Sequence, residues 1–207
     1  GLEPVDMATG AMVDYQTDVS IPGVLPLVID RNSNSGHELG RALGPQWVSR
    51  MDCRIEICAD EVLMLTPDGA LVTFPAAPLD GSEVRADGRP WLLSFTDGAY
   101  RVRDVASGLV YVFATATEMS MVRPTGPVED VTNLHDPDSE PDPEMVGVTV
   151  GGYGYRSASV AGYAGIGFEV GLSAVIHRTG HMIEYGWDQA SGLMTSMRRS
   201  DGTVLEL

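Results

Sequence analysis

The chain predicts an all-β fold, an antiparallel meander of hairpins, and three observations carry that prediction. Short runs of β-branched, leucine, aromatic or methionine residues alternate with polar ones at the period of a strand. A turn dipeptide ending in glycine separates the runs, with Gly88, Gly98 and Gly108 spaced by ten residues and Gly180, Gly192 and Gly202 by 12 and 10. No stretch repeats apolar residues at the spacing of a long amphipathic helix; at most a helical turn is expected near 36–43.

From the N-terminus, Pro4-Val5-Asp6 and Ile21-Pro22-Gly23 read as strand starts and turns bracketing short apolar runs. Cys53-Arg54-Ile55-Glu56-Ile57-Cys58 alternates and reads as a strand. Its two cysteines then point to opposite faces about 16 Å apart at ~3.3 Å per residue, too far for a disulfide, so both are expected as free thiols. Val62–Leu65, Ala70–Phe74, Ala99–Arg103 and Leu109–Phe113 follow as strands. Between and beside them stand Pro67-Asp68-Gly69, Leu79-Asp80-Gly81, Ala86-Asp87-Gly88, Thr96-Asp97-Gly98 and Ala106-Ser107-Gly108. Asp-Gly is a strong hairpin signal because both residues tolerate the positive φ that a tight turn requires.

The pattern breaks after Phe113. The stretch 125–144 holds seven acidic residues, four prolines and no base. Prolines remove donors and like charges repel, so an exposed, mobile loop is expected there. Residues 147–172 turn glycine-rich, with Tyr153, Tyr155, Tyr163 and Phe168 interleaved. The hairpin device then returns in Met182–Tyr185, Gly192–Met197 and Asp201–Leu205. Three regions are therefore expected: an antiparallel domain over 1–113, an insertion or linker over 114–172, and a further β segment over 173–207. The chain opens without an initiator Met and stops inside a strand-like pattern at Leu207, which reads as a piece of a longer polypeptide.

Charge narrows the function classes. Against 29 Asp and Glu stand 13 basic residues, all of them Arg, for a net charge of −16. Phosphate backbones and anionic lipid are bound through clustered positive charge, so neither nucleic acid nor a membrane surface is an expected partner. No apolar run approaches the ~20 residues of a membrane span. At 43% hydrophobic, the chain has the apolar content to build a packed core.

Motifs for chemistry fall short one by one. Asp136, Asp138, Glu140 and Asp142 alternate like the ligands of a calcium loop, but Pro141 stands where that loop needs glycine and Gly147 where it needs its bidentate Glu. His177 and His181 have the i, i+4 spacing of a zinc-protease helix, yet Gly180 interrupts it, Arg178 replaces the catalytic Glu, and the surroundings read as a hairpin. His37 and His135 have no companion motif. There is no Gly-x-Ser-x-Gly elbow and no phosphate loop, and Cys53 and Cys58 sit mid-strand without a helix N-terminus or basic pocket in sequence to depress a thiol pKa. The reading is therefore not an enzyme, with no catalytic, cofactor-binding or metal residue assigned.

Specific residues carry a family resemblance. Glu3-Pro4-Val5-Asp6-Met7-Ala8-Thr9-Gly10-Ala11-Met12, then Thr17–Leu27, Arg31-Asn32-Ser33-Asn34-Ser35, Gly40, Gly44-Pro45 and Trp47, resemble the N-terminal domain of Rhs (rearrangement hotspot) and related polymorphic-toxin proteins. The likeness extends over residues 3–113. Arg178–Leu193 resembles a first YD repeat, with Trp187 in the place of the Tyr, Asp188 after it, and Gly192-Leu193 closing a turn one residue longer than usual. In that family the repeats form a hollow β-shell around a C-terminal toxin, which an aspartate-based Asp-Pro-x-Gly-x-x-Gly-Gly motif releases. Asp136-Pro137-Asp138 lacks those glycines, so no protease residue transfers. The resemblance implies a non-catalytic wall or cap of the first part of such a shell, in an exported bacterial protein. Its partners would be the remaining YD-repeat shell and the toxin of the same polypeptide, with secretion machinery as a further partner. The alternative is a free-standing β-sandwich or barrel that binds carbohydrate, for which Tyr153, Tyr155, Tyr163 and Trp187 are the candidate stacking residues.

Overall fold

A computed structural model of the chain describes residues 10–36, 38–58, 60–75, 80–114, 149–150, 153–158, 165–188 and 191–207. The first half holds β1 (Val13–Ile21), β2 (Leu27–Asn34), β3 (Trp47–Ser49), β4 (Arg54–Ile57), β5 (Glu61–Leu65), β6 (Leu71–Pro75), β7 (Val84–Arg85), β8 (Trp91–Thr96), β9 (Ala99–Asp104) and β10 (Leu109–Ala114). The second holds β11 (Thr149–Val150), β12 (Tyr153–Ala158), β13 (Gly165–Gly171), β14 (Ala174–His177), β15 (Met182–Trp187), β16 (Met194–Arg199) and β17 (Val204–Glu206). The described residues contain no α-helix, and every strand pairing among them is antiparallel. The fold is the all-β antiparallel meander that the turn spacing predicts.

The strands form three sheets, with the orders β1-β2-β3, β11-β12-β13-β4-β5-β6 and β17-β16-β15-β14-β10-β9-β8-β7. The two larger sheets are joined at a corner, where Asp87 N–H donates to Thr73 O at 3.0 Å. They are joined again where the chain passes from β13 to β14, with Leu172 N–H on Cys53 O (3.0 Å) and Ser173 N–H on Val112 O (2.8 Å). The chain thus leaves the eight-stranded sheet after β10 and returns to the same place, since β14 pairs directly with β10. Within the middle of the sequence, β11 to β13 extend the six-stranded sheet on β4. The acidic stretch 125–144, with its expected exposure and mobility, lies outside the described residues.

One core draws on both large sheets. Ile55, Met64 and Phe74 come from one, and Leu93, Phe113, Ile183 and Met197 from the other. Burying each such side chain contributes about 1.5–3 kcal/mol relative to leaving it exposed. Leu27 of the three-stranded sheet is also fully buried in this core, which anchors that sheet to the rest. Period-2 alternation puts Ala99, Val112 and Ala174 on the opposite face of the eight-stranded sheet, in a small second cluster.

The Asp-Gly signal is physical at Asp97-Gly98. These two residues take φ of 54° and 72° and join Thr96 to Ala99, which are register partners. That is the two-residue hairpin whose twist matches its strands. The helical turn expected near 36–43 is instead a 3-10 turn at Arg50–Asp52. Ser49 Oγ accepts from Met51 N–H (3.1 Å), while Asp52 Oδ2 accepts from Ser49 N–H (2.9 Å). The other oxygen of Asp52 accepts from Arg41 N–H (2.7 Å) and Ala42 N–H (3.1 Å), so a carboxylate takes the donors that a helix would have given to carbonyls.

Candidate functional site

Strand β4 carries its polar residues on one face: Arg54 and Glu56 alternate with Ile55 and Ile57, and both are buried. Its partner β13 brings Glu169 opposite Glu56. Two like charges in register repel, and two arginines offset them. Arg54 Nε lies 3.4 Å from Glu56 Oε1 and 3.6 Å from Glu169 Oε2. Arg41 engages both oxygens of Glu169, with Nη2 to Oε2 at 2.7 Å. Arg54 also donates to the carbonyls of Asp52 (3.0 Å) and Leu39 (3.3 Å). Burial raises the Glu56 carboxyl above its ordinary value in spite of Arg54, and Glu56 Oε2 has no hydrogen-bond partner. Burial likewise lowers the Arg54 guanidinium, with the nearby charge of Arg41 adding to it. For Arg41 burial acts downward too, but the hydrogen bond and charge of Glu169 outweigh it and the pKa is raised. The four groups form an ionic seam, with no nucleophile among them.

A second tie joins the two ends of the described chain. Arg199, on β16, is buried. Its Nη1 donates to the carbonyls of Pro22 (2.9 Å) and Leu25 (3.2 Å), its Nη2 to Thr203 Oγ1 (3.0 Å) and its Nε to Asp201 Oδ2 (2.8 Å). Gly23 makes this approach possible, because a Cβ there would lie 2.1 Å from Nη1. The hydrogen bond from Arg199 holds the Asp201 carboxyl well below the usual range.

The cysteines are free, Cys53 buried and Cys58 half-buried. Burial pushes the Cys53 thiol far above its ordinary value, and Cys58 is raised by burial and by the charges of Glu56 and Glu61. Neither is an activated nucleophile. The Tyr185 hydroxyl oxygen accepts from Arg50 Nη1 (3.5 Å), and burial raises its pKa. Trp187 is partly buried, packs on the core and donates its indole N–H to Leu172 O at 2.8 Å. Tyr153 and Tyr155 lie on β12; Tyr163, His37, His135 and the alternating acids Asp136 to Asp142 lie outside the described residues. Asp188 folds the turn after Trp187, its Oδ2 accepting from Ser191 N–H (2.8 Å) and Oγ–H (2.6 Å). His177 and His181 flank the β14–β15 hairpin. Among the described residues, no group of three or more His, Cys, Asp or Glu is placed to hold a metal ion.

Residues 2–74 match the family described as Domain of unknown function (DUF6531). That stretch is about a third of the chain. Its end at Phe74 falls on β6, so among the described residues it takes in the three-stranded sheet, the 3-10 turn and β4 to β6 almost whole. It also holds the Pro22–Leu25 turn and three of the four seam residues, while Glu169 and Arg199 lie beyond it. No curated protein matches the chain. Among the described residues, no helix is long and apolar enough to cross a membrane.

The seam and the Arg199 tie are what sequence reading missed. Arg54 and Glu56 on alternate positions of an otherwise apolar strand were a visible signal of a shared polar face. Nothing in the sequence paired them with Glu169, or Arg199 with a turn 174–177 residues earlier.

Proposed function

We propose that this chain is a non-catalytic wall or cap segment of an Rhs-type β-shell that encloses a C-terminal toxin of the same polypeptide. The observation that carries the reading is the open meander. β17 pairs with β16 alone among the described residues, and the hairpins β14 to β17 add one after another to an eight-stranded sheet. A sheet edge of this kind accepts a further strand, which is how successive YD repeats would extend a wall. The β segment over 173–207, which contains the residues resembling a first YD repeat, meets the residues resembling the N-terminal domain in this fold, where its Arg199 holds the Pro22–Leu25 turn. Arg54 and Arg199 support the same reading, since each bonds to carboxylates and backbone carbonyls of the fold itself. Secretion by a bacterial export system and a toxin as cargo rest on the family resemblance.

The test uses the natural polypeptide that contains this chain. Leu205 is half-buried against the core and Leu207 lies beside β16, its N–H on Thr195 O at 2.9 Å. Changing both to Asp puts charge at the junction with the next repeat. A sealed shell should then become leaky, with the C-terminal region cut by added protease while the parent resists. A C-terminal region equally resistant in both, or equally labile in both, would count against the shell.

A further inference from the structure

We draw no further inference here: the strongest candidate, the apolar cluster of Ala99, Val112 and Ala174 with Val110, Ile176 and Met182 on the face of the eight-stranded sheet away from the main core, carries nothing because nothing in the structure shows what covers it.

Discussion

Arg199 gives its guanidinium to two backbone carbonyls, a threonine hydroxyl and one exposed carboxylate, whereas Arg54 lies between two carboxylates that face each other across β4 and β13. Both are buried arginines that tie segments far apart in sequence. The first tie is neutral on its buried side, and its only carboxylate, Asp201, has a side chain 49% exposed. The second is charged throughout, with Glu56 9% exposed and Arg54 5%. Loss of the arginine in the first leaves carbonyls bare. Loss of a carboxylate in the second relieves a repulsion as well as an attraction.

The largest effect is therefore expected at Arg199. Arg199→Ala strips the donors from Pro22 O and Leu25 O, at about 1–3 kcal/mol for each buried acceptor left unpaired. A urea midpoint in that variant should fall by an amount equivalent to about 3 kcal/mol or more. Next comes Gly23→Ala, whose methyl would collide with a guanidinium held by four hydrogen bonds and should cost about 1–3 kcal/mol. In the Arg199→Ala background the same methyl meets no guanidinium. A double-mutant cycle should then show Gly23→Ala costing far less there, and additivity of the two would disprove the contact.

In the seam, Glu169→Gln weakens the paired bonds to Arg41 and leaves Arg54 with one carboxylate. Because Arg41 is 35% exposed, water screens part of the loss, and about 1 kcal/mol is expected. Glu56→Gln should be the mildest, within about 0.5 kcal/mol of the parent or slightly stabilising, because it removes a desolvated charge with an unbonded oxygen.

The two ties should also answer acid in opposite senses. The folded state holds the Glu56 proton more tightly than the unfolded state, so its contribution to stability falls as pH rises through the raised value and recovers as pH falls. Asp201 binds its proton less tightly when folded, so its contribution is present above the ordinary aspartate range and is lost as pH drops through and below that range. Stability curves from neutral pH down to about 4.3, the ordinary glutamate value, should rise less steeply, or fall more steeply, in Glu56→Gln than in the parent.

This contrast also marks how far the sequence could be read. Strand positions followed from local physics: alternation in Leu109–Phe113 needs only a buried face, and Asp97-Gly98 needs only a tight turn. The Arg50–Asp52 turn was legible in principle from Ser49 and Asp52 three apart, although the helical turn was expected earlier, near 36–43. What local pattern cannot carry is the choice of distant partner. Gly23 looked like any Ile-Pro-Gly turn, and its reason lies on β16. Glu169 sits in a glycine-rich stretch with no alternation to place it, yet it completes the polar face of β4. Thr179 between two histidines was read for what the motif lacked as a helix, while the hairpin makes it the shared partner of both.

The central claim is that the β17 edge is an internal joint of a longer sheet. Leu207 N–H points to β16, so strand alternation turns the N–H groups of Val204 and Glu206 away from it. Hydrogen exchange on the natural polypeptide reads this directly at two amides. The account predicts that Val204 and Glu206 are protected as strongly as the amide of Leu205 between them, because the next strand takes their bonds. Free exchange at those two positions beside a protected Leu205 would show that the sheet ends at β17 and that this chain is not a wall segment.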